Sequence, residues 1–324
     1  MAMLRSCAMA LTFVCLACGP QADGWAQGYP AKVIRYLVPT SAGAGADVIG
    51  RIVATGLAEA FGQQVIVDNR VGAAGNIGAA IAAKAPADGY TLFQVTFQHT
   101  VNVTLYRNLQ YDLLRDFAPV TQLGSSPAVV VVHPSLPVKS IPELVRLTKL
   151  RPGAINYGSA GFGSPTFVAA ELFKAQAGVD VRHVPYRGGG EALIAVVTGE
   201  TQLYFAPLTA LPHIRQGRLR ALGLTASKRL PLLPEYATVA ESGYPGYEFG
   251  FWHGLMVPAR TPQETIATIR EAVVTVLRRA DINERIRDLG YAAVGDQPEE
   301  FAQFLKSDIA KWQKIIRDKG FAED

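Results

Sequence analysis

Strand-like and helix-like segments alternate along nearly the whole of this 324-residue chain, and that alternation restricts the fold more than any motif does. Apolar runs rich in β-branched residues read as strands at 33–38, 64–67, 90–96, 129–132, 155–157, 181–184, 203–206 and 219–224. Segments at 76–84, 166–177, 191–197 and 211–216 read as helices. Val129-Val130-Val131-Val132 shows no polar alternation, as expected of a strand buried on both faces. Ser140-Ile141-Pro142-Glu143 and Thr261-Pro262-Gln263-Glu264 are capping-box sequences that start two further helices. The pattern predicts an α/β protein whose mainly parallel sheets are flanked by helices.

The C-terminal part is helical. Ile266, Ile269, Val273 and Leu277 share one helix face, and Phe301, Phe304, Leu305, Ile309, Trp312 and Ile316 share another. Burying one such side chain is worth about 1.5–3 kcal/mol, so the last helix must dock, and it is expected to return to the first domain.

Residues 1–26 have the form of a signal peptide. Arg5 is the one charge in the first ten residues, an apolar stretch covers 8–17, and Gly24-Trp25-Ala26 offers a small-x-small cleavage site before Gln27. The apolar stretch is too short for a stable membrane anchor. All three cysteines (Cys7, Cys15 and Cys18) lie in this leader, where lipidation of Cys18 after Leu16-Ala17 is the alternative to cleavage at Ala26, so the exported chain is expected to have no disulfide, thiol nucleophile or thiolate metal site. Cleavage leaves about 300 residues, a length that divides into two domains.

One local device recurs: a strand runs into Gly/Ser-rich backbone that opens a helix. It appears at Thr40–Asp47, at Gly72-Ala73-Ala74-Gly75-Asn76, at 158–164, and at Tyr186-Arg187-Gly188-Gly189-Gly190. Such loops leave backbone N–H groups at the positive end of a helix dipole, which suits an anion. In open sheets they lie beyond the carboxyl ends of the strands, where ligands sit. Gly43-Ala44-Gly45 lacks the third glycine of a dinucleotide fingerprint, and no Gly-Lys-Ser/Thr follows it.

Other function classes find little support. The net charge is +4 with no basic run, which argues against nucleic acid and mildly favours anionic ligands. No Gly-x-Ser-x-Gly elbow exists, because Tyr157 precedes Ser159 by two places and Phe162 precedes Ser164. His99, His133, His183, His213 and His253 are scattered singly, with no metal-binding spacing. Neither a catalytic set, a metal nor a cofactor is expected. Asp47 is read as complementing the dipole of its helix. Arg187 either pairs with a ligand carboxylate or binds acidic groups across the domains. Asn69 and Arg70 are expected to brace the loop they precede, and Phe251 and Trp252 either wall a cleft or pack in the core.

Several ordered pieces carry a resemblance over the whole exported length. They are Val38-Pro39 through Gly43 to Asp47, Asp68-Asn69-Arg70-Val71-Gly72-Ala73-Ala74-Gly75, Leu105-Tyr106 with Tyr111-Asp112, and Asp116-Phe117-Ala118-Pro119-Val120. Asn156-Tyr157-Gly158-Ser159-Ala160-Gly161, Gly163-Ser164-Pro165, Val184 to Gly190, Leu211-Pro212-His213-Ile214 and Pro258-Ala259 with Thr261-Pro262 continue the series. The chain resembles the solute receptors of tripartite tricarboxylate transporters, also called the Bordetella uptake gene (Bug) family. The resemblance implies a two-lobed periplasmic binding protein of the type II-like class. It would close as a monomer on a small mono-, di- or tricarboxylate and deliver it to integral membrane permease subunits. Two other roles stay open: presenting ligand to a sensor kinase, and an exported enzyme.

Carried over by position, Thr40, Ser41, Ala42 and Gly43, with Ala44 beside them, form the first-lobe cradle. Ser159, Gly163, Ser164 and Thr166 face it, Thr96 and Asn102 follow the third strand, and Arg187, Gly188 and Ala206 complete the set. Lobe 1 is expected at 27–124 and 228–324 and lobe 2 at 125–227, with near-extended crossings at 123–128 and 224–228 acting as hinge. Four positions depart from the family pattern: Ala44 for a second glycine, Ala46 for a hydroxyl residue, Phe167 for a histidine, and Ala206 for an aspartate. The missing acid predicts a ligand whose far end is apolar or anionic, and not an amino acid.

Overall fold

The computed structural model describes residues 28–230 and 233–319. The leader, its cysteines and the cleavage point before Gln27 lie outside them. None of the described helices is long and apolar enough to cross a membrane.

The chain begins with β1 (Ile34–Val38), α1 (Gly45–Phe61), β2 (Val65–Asn69), α2 (Asn76–Ala83), β3 (Thr91–Thr96) and α3 (Phe97–Leu105). A 16-residue strand, β4 (Phe117–Val132), leads on to α4 (Ile141–Leu150), β5 (Asn156–Ser159), α5 (Pro165–Ala177), β6 (Arg182–Pro185), α6 (Gly189–Thr198), β7 (Leu203–Pro207), α7 (Leu211–Arg215) and β8 (Arg220–Leu224). The chain closes with β9 (Gly250–Pro258), α8 (Gln263–Arg278), α9 (Ala280–Asp288), β10 (Ala292–Ala293) and α10 (Pro298–Lys319).

Two sheets share β4. The first runs β2-β1-β3-β9-β4, with β10 also on β4; the second places β4 between β8 and β7 and continues through β5 to β6. The change of sheet falls between Pro127, opposite Gly250 of β9, and Ala128, opposite Pro207 of β7. Pairing is parallel for β1 with β2 and β3, and for β5 with β6 and β7. Every pairing of β4 and β9 is antiparallel. The sheets are therefore mixed and not mainly parallel. Helical crossovers return the chain in the same direction, whereas β4 enters the second sheet fully extended, with no crossover to turn it.

The valine run behaves as a strand buried on both faces. Val130 and Val132 enter the large core, and Val129 and Val131 enter a smaller one with Ala192, Val196, Tyr204 and Leu219. Thr225, wholly buried, ties the crossing strands together. Its hydroxyl donates to Phe249 O (2.8 Å) and accepts the Ala128 amide (2.7 Å).

Helix α10 docks on α3 and β4, on the first-sheet side, as its apolar stripe requires. Trp312 meets Phe97 edge to face at 5.1 Å, and Phe301 lies over Gly254, where a Cβ would come within 2.1 Å of its ring. Two caps differ from their motifs. Ser140 accepts the Glu143 amide at 3.3 Å as expected, but Thr261 donates its hydroxyl back to Pro258 O and leaves α8 uncapped by a side chain.

Candidate functional site

All four Gly/Ser loops meet at one cleft of about 420 Å3. Thr40, Ser41, Ala44 and Ala46 come from the first loop, Gly72, Ala74 and Gly75 from the second, Ala160 and Ser164 from the third, and Arg187 and Gly188 from the fourth. A larger opening of about 1110 Å3, behind the crossing strands, draws on none of these loops. Phe97, Phe251, Trp252 and Tyr291 line both spaces and form the wall between them, so the two aromatic residues of β9 are indeed cleft residues.

Five of the described helices begin at this cleft, among them α2, whose N-cap Gly75 is a lining residue. Helices α1 and α6 start after Ala44 and Gly188 with no side-chain cap, so their first-turn amides have no side-chain acceptor. Each brings roughly half a positive charge to its first turn. Helix α3 starts at Thr96 and α5 at Ser164. The second loop adds strained backbone, with Ala73 and Ala74 both left-handed at φ 46° and 53°. That geometry costs about 1–2 kcal/mol per non-glycine residue, and such strain gathers at functional sites.

The first loop is held by side chains behind it. Asp47, buried in the first turn of α1, accepts from the Gly43 amide (2.8 Å), Arg51 Nε (2.9 Å) and Asn69 Nδ2 (2.8 Å), while Asn69 also donates to Thr40 O. Burial alone would raise the Asp47 pKa, but the donors from Arg51, Asn69 and Gly43 outweigh it and hold the carboxyl below its ordinary range. Asp47 and Asn69 are thus bracing residues.

Of the expected ligand contacts, Thr40, Ser41, Ala44, Thr96, Ser164, Arg187 and Gly188 line the cleft. Seven others do not. Ala42 and Gly43 sit on the exposed outer side of their loop, and the Gly43 amide is taken by Asp47. Asn102 is fully buried, donating to Ala74 O and Asn76 Oδ1 and accepting from Gln98, and it fixes the second loop from beneath. Ser159 is fully buried, with its hydroxyl 2.6 Å from His183 Nε2 and bonded to both the amide and the carbonyl of Gly161. Thr166 accepts the Ala160 amide at 2.9 Å. Gly163 presents its carbonyl to Gln98 Nε2 at 3.0 Å, a bond that spans the cleft. Ala206 is buried in the smaller core, opposite Val129. Among the described residues, no Asp or Glu lines the cleft.

Arg187 is exposed and is the one Lys or Arg among the described residues that lines the cleft; its amide, and not its guanidinium, meets Glu191. Gln98, His99, His253 and Tyr291, not among the ligand contacts expected from the sequence, also line the cleft. His99 stands three residues after the N-cap Thr96, whose amide donates to its Nδ1 at 3.1 Å. That Thr-x-x-His spacing, with histidine in the usual place of Glu or Gln, is the signal available for it. His253 reaches the site only through strand pairing, opposite Thr96. Burial lowers the pKa of both histidines to about 4, so both are neutral at pH 7.

Chemically, the arrangement offers unfilled amides, helix dipoles and one cation around a half-enclosed space free of acidic side chains. The profile of the tripartite tricarboxylate transporter family receptor matches residues 49–321. The protein BugT of Bordetella pertussis (strain Tohama I) is 32% identical over 323 residues, covering 99% of each chain. Among solved structures, Rpa4515 of R. palustris with adipate superposes with a TM-score of 0.82 at 34% identity, covering 90% of this chain and 98% of that one. MatC (Rpa3494) from Rhodopseudomonas palustris with bound malate gives 0.79 at 30% identity, covering 89% and 100%.

Proposed function

The chain belongs to the tripartite tricarboxylate transporter receptor family, and from that premise we propose that it is an exported periplasmic receptor that closes on a small organic carboxylate and passes it to membrane permease subunits. In this reading its lobes are 27–124 with 228–324, and 125–227, hinged where β4 and the strands tied by Thr225 cross, and it acts as a monomer. One observation carries the ligand class: four loop-to-helix junctions and Arg187 converge on one cleft that, among the described residues, no acidic side chain lines. The adipate and malate bound to the two relatives belong to the same chemical class.

The energetics are adequate. Micromolar affinity needs about 8 kcal/mol net, and charge-assisted hydrogen bonds contribute about 1.5–3 kcal/mol each in a desolvated site. Binding without turnover fits Ser164, one of the two serines lining the cleft, whose hydroxyl is committed to Gly161 O (2.6 Å) and the Phe167 amide. No cofactor enters this reading.

Titration calorimetry with adipate, malate and their diamides tests it. The acids should bind and return unchanged, and the diamides should not bind. Arg187→Ala should weaken binding 10- to 100-fold with little change in melting temperature, as expected for the loss of one charged partner from an exposed side chain. Absence of binding by any carboxylate, or chemical conversion of one, overturns the receptor reading.

A further inference from the structure

Among the described residues, eight buried side-chain polar atoms have no hydrogen-bond partner, and three of them belong to residues lining the cleft: Thr40 Oγ1, His99 Nε2 and His253 Nδ1. An unpartnered buried polar atom costs about 1–3 kcal/mol, so three around one cavity are a property of the site.

The three are neighbours in the fold. Thr96 and His253 are opposite each other on β3 and β9, so their side chains share one face of the sheet. His99 is bonded to Thr96 through Nδ1. Thr40 follows β1, which runs parallel to β3 with Leu37 opposite Phe93, and so emerges at the same end of the sheet. The chemistry of His99 is fixed: a backbone amide donates to Nδ1, so the ring proton sits on Nε2, which is a neutral donor. The ring packs closely against Gly75, where a Cβ would lie 3.0 Å from Nε2. In His253, Nε2 pairs with the Tyr291 hydroxyl at 3.1 Å, which frees Nδ1 to donate or accept according to the direction of that bond.

We propose that Thr40, His99 and His253 form an uncharged recognition pole that reads a hydroxyl or oxo oxygen on the body of the carboxylate ligand. This deepens the receptor reading and rests on it. Charge is already answered elsewhere, by Arg187 and the uncapped starts of α1 and α6. A second carboxylate seated among neutral imidazoles would lose hydration with no cation in return, whereas an alcohol or ketone oxygen satisfies the waiting groups without that cost. A site built to hydrogen-bond an oxygen also rejects the analogue lacking it, because its own polar groups are then left unpaired.

Calorimetry on the full exported chain, using matched pairs, decides the matter: malate against succinate, 2-oxoglutarate against glutarate, 3-hydroxybutyrate against butyrate. Within the tightest-binding pair, the oxygenated member should bind at least 10-fold more tightly. His99→Phe and His253→Phe should bring that ratio close to 1 while leaving the deoxy ligand within 3-fold of its original affinity. Thr40→Val, nearly isosteric and on a loop, should cut the ratio at least 3-fold, and it decides the outcome if a histidine variant does not fold. Equal or tighter binding of the deoxy member, or a ratio that Thr40→Val leaves unchanged, overturns the proposal while leaving the receptor reading intact. If none of these acids binds, the receptor reading itself falls, and this proposal with it.

Discussion

On the second-sheet side of the cleft, the hydroxyls of Ser159, Ser164 and Thr166 are all committed to their own loop, whereas on the first-sheet side Thr40, His99 and His253 each keep a buried polar atom with no protein partner. The two sides look alike in sequence, each a strand running into small residues and a helix. Their side chains divide the work differently. On the second side they fold their own loop, so that a ligand meets backbone, the start of α6 and the exposed guanidinium of Arg187. On the first side Asp47 and Asn69 do the bracing from behind, and residues within the cleft remain unsatisfied. A hydroxyl beside a glycine can serve its own loop or a ligand, and only the partners in the folded chain tell which.

The largest expected effect separates the sides by pH. His99 and His253 are fully buried, with pKa values lowered to about 4 by burial from an ordinary 6.5. Above about pH 6.5 neither state of the protein carries these protons, and the histidines add no pH dependence. As the pH falls below that value the unfolded chain takes them up first, so stability drops progressively until about pH 4. Each histidine then costs about 3 kcal/mol, by the conversion of 1.36 kcal/mol per pKa unit. Urea unfolding at pH 7 and pH 4.5 should show wild type losing about 2.5 kcal/mol more than either His99→Gln or His253→Gln. His183, on the second side and only partly buried, is shifted in the same direction, and His183→Gln should flatten the slope less. Equal slopes for wild type and both first-side variants would break the contrast.

Next in size are the serines. Read from the sequence, Ser159 and Ser164 are ligand contacts; in the fold they are structural. Ser159→Ala leaves His183 Nε2 and the Gly161 amide without a partner in a buried setting, a loss of about 1–3 kcal/mol. Ser164→Ala removes an N-cap and should cost about 0.5–2 kcal/mol. Thermal melts should register both losses, while affinity for the same carboxylate stays within 3-fold of wild type. A sharp fall in affinity with an unchanged melt would return these hydroxyls to the ligand.

How far the sequence could be read depends on the range of the interactions involved. Val129 to Val132, the Gly/Ser loops and the apolar stripe of α10 announce themselves within a few residues, because each is a local pattern set by backbone geometry or helix period. Antiparallel entry of β4 into the second sheet is different: no residue in 117–132 records which strand will lie alongside. Asn102 follows the third strand and Ala206 stands near the end of another, positions that point toward a ligand in a linear reading, yet packing turns Asn102 beneath the second loop and places Ala206 in the smaller core. His253 joins the site across 157 positions of sequence through its register with Thr96. Long-range pairing of this kind leaves no local trace.

The smallest expected effect concerns a side-chain bond that spans the cleft. Gln98 Nε2 donates to Gly163 O at 3.0 Å and to Asn102 Oδ1 at 2.8 Å, so the first side grips a carbonyl of the second through a residue that Asn102 holds in place. A neutral hydrogen bond of this type is worth about 0.5–1.5 kcal/mol net, enough to shift an open-to-closed equilibrium by about 2- to 10-fold but not to fix it. Gln98→Ala should therefore lower apparent carboxylate affinity by that factor through the fraction of closed receptor, and should raise the radius of gyration of the unliganded protein in solution scattering. Saturating ligand should restore wild-type scattering, because binding energy greatly exceeds the lost bond. If unliganded scattering does not change, Gln98 is a ligand contact and not a latch. The division between a self-bonded second side and a receptive first side would then extend one residue further along α3.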